Sequence, residues 1–226
     1  ALRELFRGLI GRHARSVVID PYANAFMHNP DEKTSLVWAK EDDTEMRPGV
    51  AERKWEIDSL CYVVRLAYGY WRETGDKAPF DAAWAESARA IVRTFREQQR
   101  KDGPGPYKFQ RTNKQPSETL QAGLGLPTRK VGLIHSAFRP SDDACIFPLF
   151  VPANLFAMTA LRELAAVASE ARGDAALAQD AAALAGEVEQ ALARYGAMTL
   201  PDGREVWAYE VDGYGNALFM DDANVP

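Results

Sequence analysis

Apolar residues recur at helical spacing in four stretches of the chain: residues 57–75, 80–97, 145–161 and 174–195. Within each stretch they return every three or four positions, the period that places side chains on one face of an α-helix. The stretch from Ile57 stops at Gly75, while Asp174 and Gly196 flank the last stretch as a candidate N-cap and a candidate C-terminal stop. The pattern therefore predicts an all-α protein.

The four predicted helices alternate between two kinds. The first and third are apolar on most faces, whereas the second and fourth place an apolar stripe opposite charged residues such as Arg93 and Glu187. Inner helices of a double ring touch neighbours on all sides and outer helices face water, so we expect an α/α toroid. The chain has no self-similarity of the helical-repeat or heptad kind, which argues against an interaction scaffold.

Long connections rich in glycine, proline and aromatic residues separate the helices, notably at residues 21–48, 103–140 and 200–220. Two runs within them, residues 107–111 and 206–211, have a strand-like composition, and we expect them to form small hairpins. Long loops on a rigid helical scaffold are where binding and catalytic groups tend to lie. We therefore expect the functional side chains in these connections.

Composition and charge exclude several classes of function. The 226 residues carry a formal net charge of −5 without any purely basic cluster, so nucleic acid is not an expected partner. No apolar run reaches the roughly 20 residues of a membrane span. Cys61 and Cys145 lie in apolar runs typical of buried thiols, and His13, His28 and His135 lack the spacing of a zinc site. We expect neither a metal nor a cofactor.

Three segments combine carboxylates with aromatic and amide side chains: residues 20–26, 53–58 and 135–143. Carboxylates and amides bind vicinal sugar hydroxyls, aromatic rings stack on the C–H face of a pyranose, and paired carboxylates suit acid/base glycoside hydrolysis. The second and third segments also have a simpler interpretation. The dipole of a helix N-terminus favours Glu56 and Asp58, and Ser141 could cap a helix whose first turn carries Asp142 and Asp143.

Beyond these patterns, several runs of the chain resemble glycoside hydrolase family 125. They are Asp-Pro-Tyr-Ala-Asn-Ala-Phe at 20–26, the run from Glu52 to Tyr62 with Arg-Lys-Trp-Glu-Ile-Asp at its centre, the run from His135 to Ala144, Val-Pro-Ala-Asn at 151–154, Trp-Ala-Tyr-Glu-Val-Asp-Gly at 207–213 and Met-Asp-Asp-Ala-Asn-Val-Pro at 220–226. The resemblance implies an (α/α)6 toroid of the six-hairpin glycosidase type. It also implies that residues 1–226 cover roughly the middle half of a single catalytic domain that is incomplete at both ends.

The same resemblance implies an exo-acting α-1,6-mannosidase with a metal-independent, inverting mechanism. One carboxylic acid protonates the glycosidic oxygen, and a second carboxylate activates water. The acid corresponds to Asp142 or Asp143, of which we favour Asp142. The family's general base is a glutamate that no residue of this chain matches. A catalytically incomplete sugar-binding or helical scaffold fragment is therefore the alternative function.

The family motifs also imply a set of substrate-binding residues. These are Asp20, Tyr22, Asn24, Arg53, Trp55, Glu56, Asp58, His135, Arg139, Ser141, Asn154, Asp222 and Asn224. The implied partner is a mannose-containing oligosaccharide, with no nucleic acid or membrane involved. A lyase or an epimerase would rely on a tyrosine or histidine base, and only one histidine lies inside a motif. The sequence indicates neither an oligomeric state nor a compartment.

Overall fold

The computed structural model describes residues 1–111 and 115–220. Within these ranges the α-helices are Leu2–Ile19 (α1), Ile57–Thr74 (α2), Ala82–Gln98 (α3), Val151–Ala166 (α4) and Ala175–Tyr195 (α5). A π-helical turn, Val167–Arg172, continues α4. Short 3-10 turns lie at Trp38–Glu41, Pro116–Glu118 and Gln121–Gly123. The protein is mostly helical, as the sequence pattern predicts.

Short strands connect the helices. They are Ala25–Phe26 (β1), Asp42–Asp43 (β2), Val50–Glu52 (β3), Gln110–Arg111 (β4), Leu149–Phe150 (β5), Ala197–Thr199 (β6), Glu205–Trp207 (β7), Glu210–Val211 (β8) and Ala217–Leu218 (β9). All pair antiparallel: β1 with β3, β2 with β4, β6 with β7, and β5, β8 and β9 in one sheet. The strand-like run at 206–211 contributes to two strands in different sheets, β7 and β8. In the run at 107–111, only the last two residues form a strand, β4.

Helices α2 and α5 begin and end at the predicted signals. Gly75 follows α2 in the left-handed conformation, which a glycine adopts without a Cβ clash. The Asp174 side chain caps α5 by accepting a hydrogen bond of 3.1 Å from the backbone N–H of Leu177. Gly196 is the first residue after α5. Local chemistry therefore accounts for the ends of α5 and for the C-terminal end of α2, whereas the first backbone N–H of α2, that of Ile57, donates to the distant Ser136 hydroxyl at 3.3 Å.

The helices pack through the apolar stripes that the sequence pattern marks. Helix α4 packs against α5 and α2, and α1 packs against α3. The predicted stripe of α5, which runs from Leu177 to Leu192, is buried. It joins a continuous core that also holds Ile57, Phe95 and Leu161, and each such buried side chain contributes about 1.5–3 kcal/mol of transfer free energy. Among the described residues, no helix has the length and hydropathy of a membrane span.

Helix α1 lies outside the four predicted helices. Its buried residues, Ile10, Ala14 and Val17, follow a helical spacing, but they form a short stripe of mostly small side chains among many charged ones. A periodicity search finds such a stripe only weakly, because three buried positions in eighteen residues are few. Packing against α3 is what gives this segment its buried face.

The prediction of a helix from residue 145 onward is wrong at its start. Helix α4 begins at Val151, directly after strand β5. Pro148 disfavours helical backbone in the residue before it. The backbone N–H groups of Ile146 and Phe147 donate to the buried carboxylate of Glu210, at 2.9 and 2.8 Å. They therefore do not form the hydrogen bonds of a helix. A side chain far along the chain therefore keeps this apolar segment extended.

Candidate active site

The structure brings the three predicted segments together around the N-terminus of α2. The backbone N–H groups of Ala137 and Phe138 donate to the carbonyl of Trp55, at 3.1 and 3.0 Å. The side chain of Asn24 accepts a hydrogen bond from the backbone N–H of Lys54 at 3.1 Å. The three segments are thus one site, held together by hydrogen bonds from both backbone and side-chain groups.

A buried ion pair anchors the first segment. The Arg53 guanidinium donates to the Asp20 carboxylate at 2.6 Å, and both side chains are almost fully buried. The same guanidinium lies 5.3 Å from the ring centroid of Tyr22 and 5.2 Å from that of Tyr107, within cation–π range. The Tyr22 hydroxyl donates to Glu97 at 2.8 Å. These groups satisfy one another, so their predicted contact with substrate stays a prediction.

Three further predicted residues lie inside the protein, with their polar atoms already bonded. Trp55 is 1% exposed, and its indole N–H donates to the carbonyl of His135 at 2.7 Å. Burial lowers the pKa of His135 to about 3, so its imidazole is neutral. The Asn154 amide bonds both backbone groups of Ile134 and the carbonyl of Phe150. In this structure they support the site, and a direct role in sugar binding is untested.

Two carboxyl groups lie at the start of α2. Glu56 is 8% exposed and occupies the N-cap position, although its carboxylate accepts from the Ser59 hydroxyl and not from a backbone N–H. Burial, and then the nearby charges of Asp58 and Asp142, raise the pKa of Glu56 to about 8. Burial also raises the pKa of Asp58 to about 6. Glu56 therefore keeps its proton at neutral pH.

One oxygen of Asp58 adds to this arrangement. Its Oδ1 atom is buried and has no hydrogen-bond partner among the residues that the structure describes. Buried polar atoms nearly always find a partner in protein, water or ligand. An acceptor beside a protonated carboxyl group suits the hydroxyls of a sugar.

The acidic loop is a tight turn and not a helix start, so the capping interpretation of Ser141 is wrong. The backbone N–H of Arg139 donates to the carbonyl of Asp143, and that of Asp142 donates back to the carbonyl of Arg139. Asp142 has a φ of +72°, which is uncommon for a residue with a Cβ. Such a backbone persists only where its surroundings hold it, and it is often found at functional sites.

The two aspartates of this turn differ in their surroundings. The Asp142 side chain is 64% exposed, and its carboxylate lies 3.1 Å from the Nζ atom of Lys54. The half-buried Asp143 accepts a hydrogen bond of 3.4 Å from the hydroxyl of Ser141. Asp142 therefore extends from the turn, while Asp143 is hydrogen-bonded within it.

The turn is attached to the sheet of β5, β8 and β9 through a second buried ion pair. Arg139 donates to Glu210 at 2.7 Å, and Glu210 is fully buried. The Nη2 atom of Arg139 is buried without a hydrogen-bond partner in the described part of the chain. Arg139 also lines a cleft of about 400 Å³ together with Thr119, Leu126 and Ile146. The predicted Arg139 thus has one free donor group beside a cleft.

The described residues contain no group of three or more histidine, cysteine, aspartate or glutamate side chains that could hold a metal ion. The predicted residues Asp222 and Asn224 lie outside the described ranges. What the arrangement offers is carboxyl chemistry, with a group that holds its proton at neutral pH next to an exposed carboxylate. Acid/base hydrolysis needs groups of this kind.

Comparison with known proteins identifies the family. The model of the metal-independent α-mannosidases of glycoside hydrolase family 125 matches residues 1–226. The chain belongs to this family. The family-125 chain is 36% identical to the meiotically up-regulated gene 157 protein of Schizosaccharomyces pombe, and the match covers 100% of the chain and 47% of that protein.

The family-125 chain also matches a solved structure of a Streptococcus pneumoniae metal-independent α-mannosidase in a non-productive substrate complex with α-1,6-mannobiose. The TM-score is 0.91 at 36% identity, over 99% of this chain and 52% of that one. The chain thus spans about half the length of the relatives it matches. The resemblance inferred from the motifs is confirmed.

Sequence reasoning missed three charged residues of this family-125 site. Lys54 bridges the second and third segments, Glu52 accepts from Asn24 at 3.3 Å, and Glu210 holds the acidic turn. All three lie within or beside motifs that carry the resemblance, inside runs of buried residues. Glu210 stands between Tyr209 and Val211, and a charged residue in such an apolar run signals a buried ion pair without naming the partner, but Glu52 and Lys54 stand in a charged run that gives no such signal.

Proposed function

We propose that the full-length protein is an inverting exo-α-mannosidase that releases terminal mannose from α-1,6-linked chains. The family supports the α-mannosidase class, and the α-1,6-mannobiose bound by the Streptococcus pneumoniae protein supports the linkage. The observation that carries the proposal is the exposed carboxylate of Asp142, on a strained turn beside the buried Glu56 and Asp58.

In the proposed mechanism Asp142 is the general acid that protonates the glycosidic oxygen. Its side chain extends from the turn and is exposed, whereas Asp143 is half-buried and hydrogen-bonded within the turn. A water attacks the anomeric carbon from the opposite face, and a glutamate outside this chain serves as base. In an inverting enzyme the two carboxyl groups lie roughly 6.5 to 9.5 Å apart, which leaves room for that water.

The sugar-binding roles divide by hydrogen-bonding capacity. We assign direct contact with the terminal mannose to Glu56, which has a proton to donate, to Asp58, whose Oδ1 atom has no partner among the described residues, and to Asn24, which binds the backbone of the same segment. A protonated Glu56 can donate a hydrogen bond to a sugar oxygen, which an ionised carboxylate cannot do. The buried Arg53 and Trp55 hold the segments that carry these groups.

The proposed fold around the site is an (α/α)6 toroid, of which helices α1 to α5 form a part within a single catalytic domain. Two observations support it. The more apolar helices α2 and α4 pack on each other, and the amphipathic α3 and α5 also make contact, as inner and outer helices of a double ring do. The TM-score of 0.91 covers nearly the whole chain.

The test is hydrolysis of α-1,6-mannobiose by the full-length protein, with the α-1,2- and α-1,3-linked disaccharides as controls. Proton NMR during the first minutes distinguishes the anomers before they interconvert, and we expect β-mannose. We expect Asp142→Asn to lower kcat by about 100-fold or more, the usual contribution of a general acid. Asp143→Asn should mainly change KM or stability.

Several outcomes would contradict parts of this proposal. Initial α-mannose would exclude inversion, and internal fragments from longer chains would exclude exo action. Loss of activity in Asp143→Asn with full activity in Asp142→Asn would reverse the assignment of the acid. A full-length protein that binds mannobiose without cleaving it would favour the sugar-binding alternative.

A further inference from the structure

Lys54 is a buried cation with an unusual set of partners. Its side chain is 5% exposed, and its Nζ atom lies 5.1 Å from the ring centroid of Phe138. Burial of an ammonium group is costly unless hydrogen bonds and an opposite charge compensate it. The compensation comes from Asp142, whose backbone carbonyl and Oδ1 atom both accept from Nζ at 3.1 Å.

These two hydrogen bonds fix both the backbone and the side chain of Asp142. The residue has the left-handed φ of +72°, so contacts from elsewhere in the fold must hold it there. Lys54 is itself fixed, because its backbone N–H donates to Asn24 and its neighbour Trp55 is fully packed. The ammonium group therefore fixes the conformation of the turn at its exposed residue, Asp142.

Only one carboxylate oxygen of Asp142 is used in this clamp. Among the described residues, the Oδ2 atom has no hydrogen-bond partner. Glu56 lies near the same lysine, but its pKa is raised to about 8, mainly by burial, so it is protonated at neutral pH. In the described part of the chain, the only carboxyl group hydrogen-bonded to the Lys54 ammonium group is that of Asp142.

We propose that Lys54 is a positioning residue that holds Asp142 for proton donation, with Oδ1 bound to the ammonium group and Oδ2 presented to the glycosidic oxygen. This inference rests on the proposed function. In the step, the O–H bond of the Asp142 carboxyl breaks and its proton passes to the glycosidic oxygen. The bond from that oxygen to the anomeric carbon breaks, and its electron pair stays on the leaving sugar.

The charge of Lys54 favours this step for a physical reason. Asp142 becomes a carboxylate as it gives up the proton, and a fixed ammonium group 3.1 Å from Oδ1 stabilises that negative charge. Asp142 forms this ion pair in the resting structure as well, so we assign the contribution of Lys54 mainly to the orientation of the acid, which leaves Oδ2 for the glycosidic oxygen. The water attack on the other face of the sugar does not involve Lys54.

The leaving group provides the test. Mannobiose needs its leaving oxygen protonated, whereas dinitrophenolate from 2,4-dinitrophenyl α-mannoside departs without acid assistance. In the full-length protein, we expect Lys54→Met to lower kcat for mannobiose by about 10- to 100-fold, with kcat for the aryl mannoside within roughly threefold. KM for mannobiose should change little. Lys54→Arg keeps the charge and should recover part of the loss.

A double-variant comparison and a matched control complete the experiment. Because Lys54 acts through Asp142, adding Lys54→Met to Asp142→Asn should lower the mannobiose rate no further. Lys77→Met removes an exposed lysine that bonds only the Glu170 carbonyl, and it should leave both substrates unaffected. Thermal melting identifies variants that do not fold. If Lys54→Met does not fold, the two substrates are compared with Lys54→Arg instead.

Equal losses on both substrates, or no loss on either, would overturn the role of Lys54. An additive loss in the double variant would overturn its action through Asp142. A wild-type protein that cleaves neither substrate would instead refute the proposed function itself. The activity of the wild type therefore separates the two failures.

Discussion

Replacement of Glu56 by glutamine should change how stability depends on pH. Glu56 is 8% exposed, and burial together with the charge of Asp58 raises its pKa from 4.5 to about 8. In the folded protein it holds a proton that the unfolded chain has already lost at neutral pH. A glutamine has nearly the same shape and stays neutral at every pH, so Glu56→Gln removes this difference between the two states.

The sign follows from proton linkage. Below about pH 4.5 the carboxyl is protonated in both states, and it contributes no pH dependence. As the pH rises towards 8 the folded state binds the extra proton, so the free energy of unfolding of the wild type falls. At about 1.4 kcal/mol per pKa unit, the rise of the Glu56 pKa from 4.5 to about 8 corresponds to a loss of about 4 kcal/mol in the free energy of unfolding between about pH 5 and about pH 9.

The measurement is urea unfolding of wild type and Glu56→Gln at several pH values in that range. Subtracting one free energy of unfolding from the other removes the contributions of all other titrating groups that are common to both proteins. We expect the variant to gain stability relative to the wild type by about 4 kcal/mol across the range. A carbon NMR titration of the Glu56 carboxyl carbon gives an independent check of its pKa.

Glu86→Gln is the matched control, because Glu86 is an exposed glutamate on α3. Its stability difference from the wild type should not vary with pH. A Glu56→Gln difference that is also flat, within about 1 kcal/mol, would refute the reasoning that burial keeps Glu56 protonated. The site would then contain an ionised glutamate, which could only accept hydrogen bonds from a sugar.

Three further substitutions test the framework of the fold, each by chemical unfolding. Asp174→Ala removes the N-cap of α5 and should cost about 1 kcal/mol, whereas Asp174→Asn should restore most of it. Asp42→Ala leaves the buried Arg111 without its two hydrogen bonds of 2.6 and 2.7 Å and should cost about 3–5 kcal/mol; a cost below about 1 kcal/mol would contradict that. Gly49→Ala strains a φ of +84° and places a Cβ 2.7 Å from the carbonyl oxygen of Pro30, so it should destabilise by more than about 1 kcal/mol, and an equally stable variant would contradict the described turn.

The sequence alone predicted those helix ends that depend on residues nearby in the chain. The cap of α5 at Asp174 and the stop of α2 at Gly75 need only nearby backbone groups, so the same residues that signal them also form them. The apolar start of α4 shows where local reasoning fails. Glu210, more than sixty residues later, binds the backbone of Phe147 and prevents the helix from starting there.

The family motifs marked the right segments but not which side chains face the substrate. Trp55 and Asn154 belong to the motifs and are wholly internal, while Asp142 is exposed. A motif shows that a residue is required, but the requirement can come from packing in the core or from direct contact with the substrate. Exposure depends on which other segments cover a side chain, and that is a property of the tertiary structure.

The sequence by itself determined the helical class, the periodic faces of α2 and α5, and the family, because these are carried by short-range patterns and by runs of residues. Only the tertiary structure decided the electrostatics of the site. Lys54 and Asp142 are 88 residues apart in the chain and 3.1 Å apart in space. The raised pKa of Glu56 likewise results from burial by distant segments. Desolvation and charge pairing act over a few ångströms in space, whatever the distance along the chain.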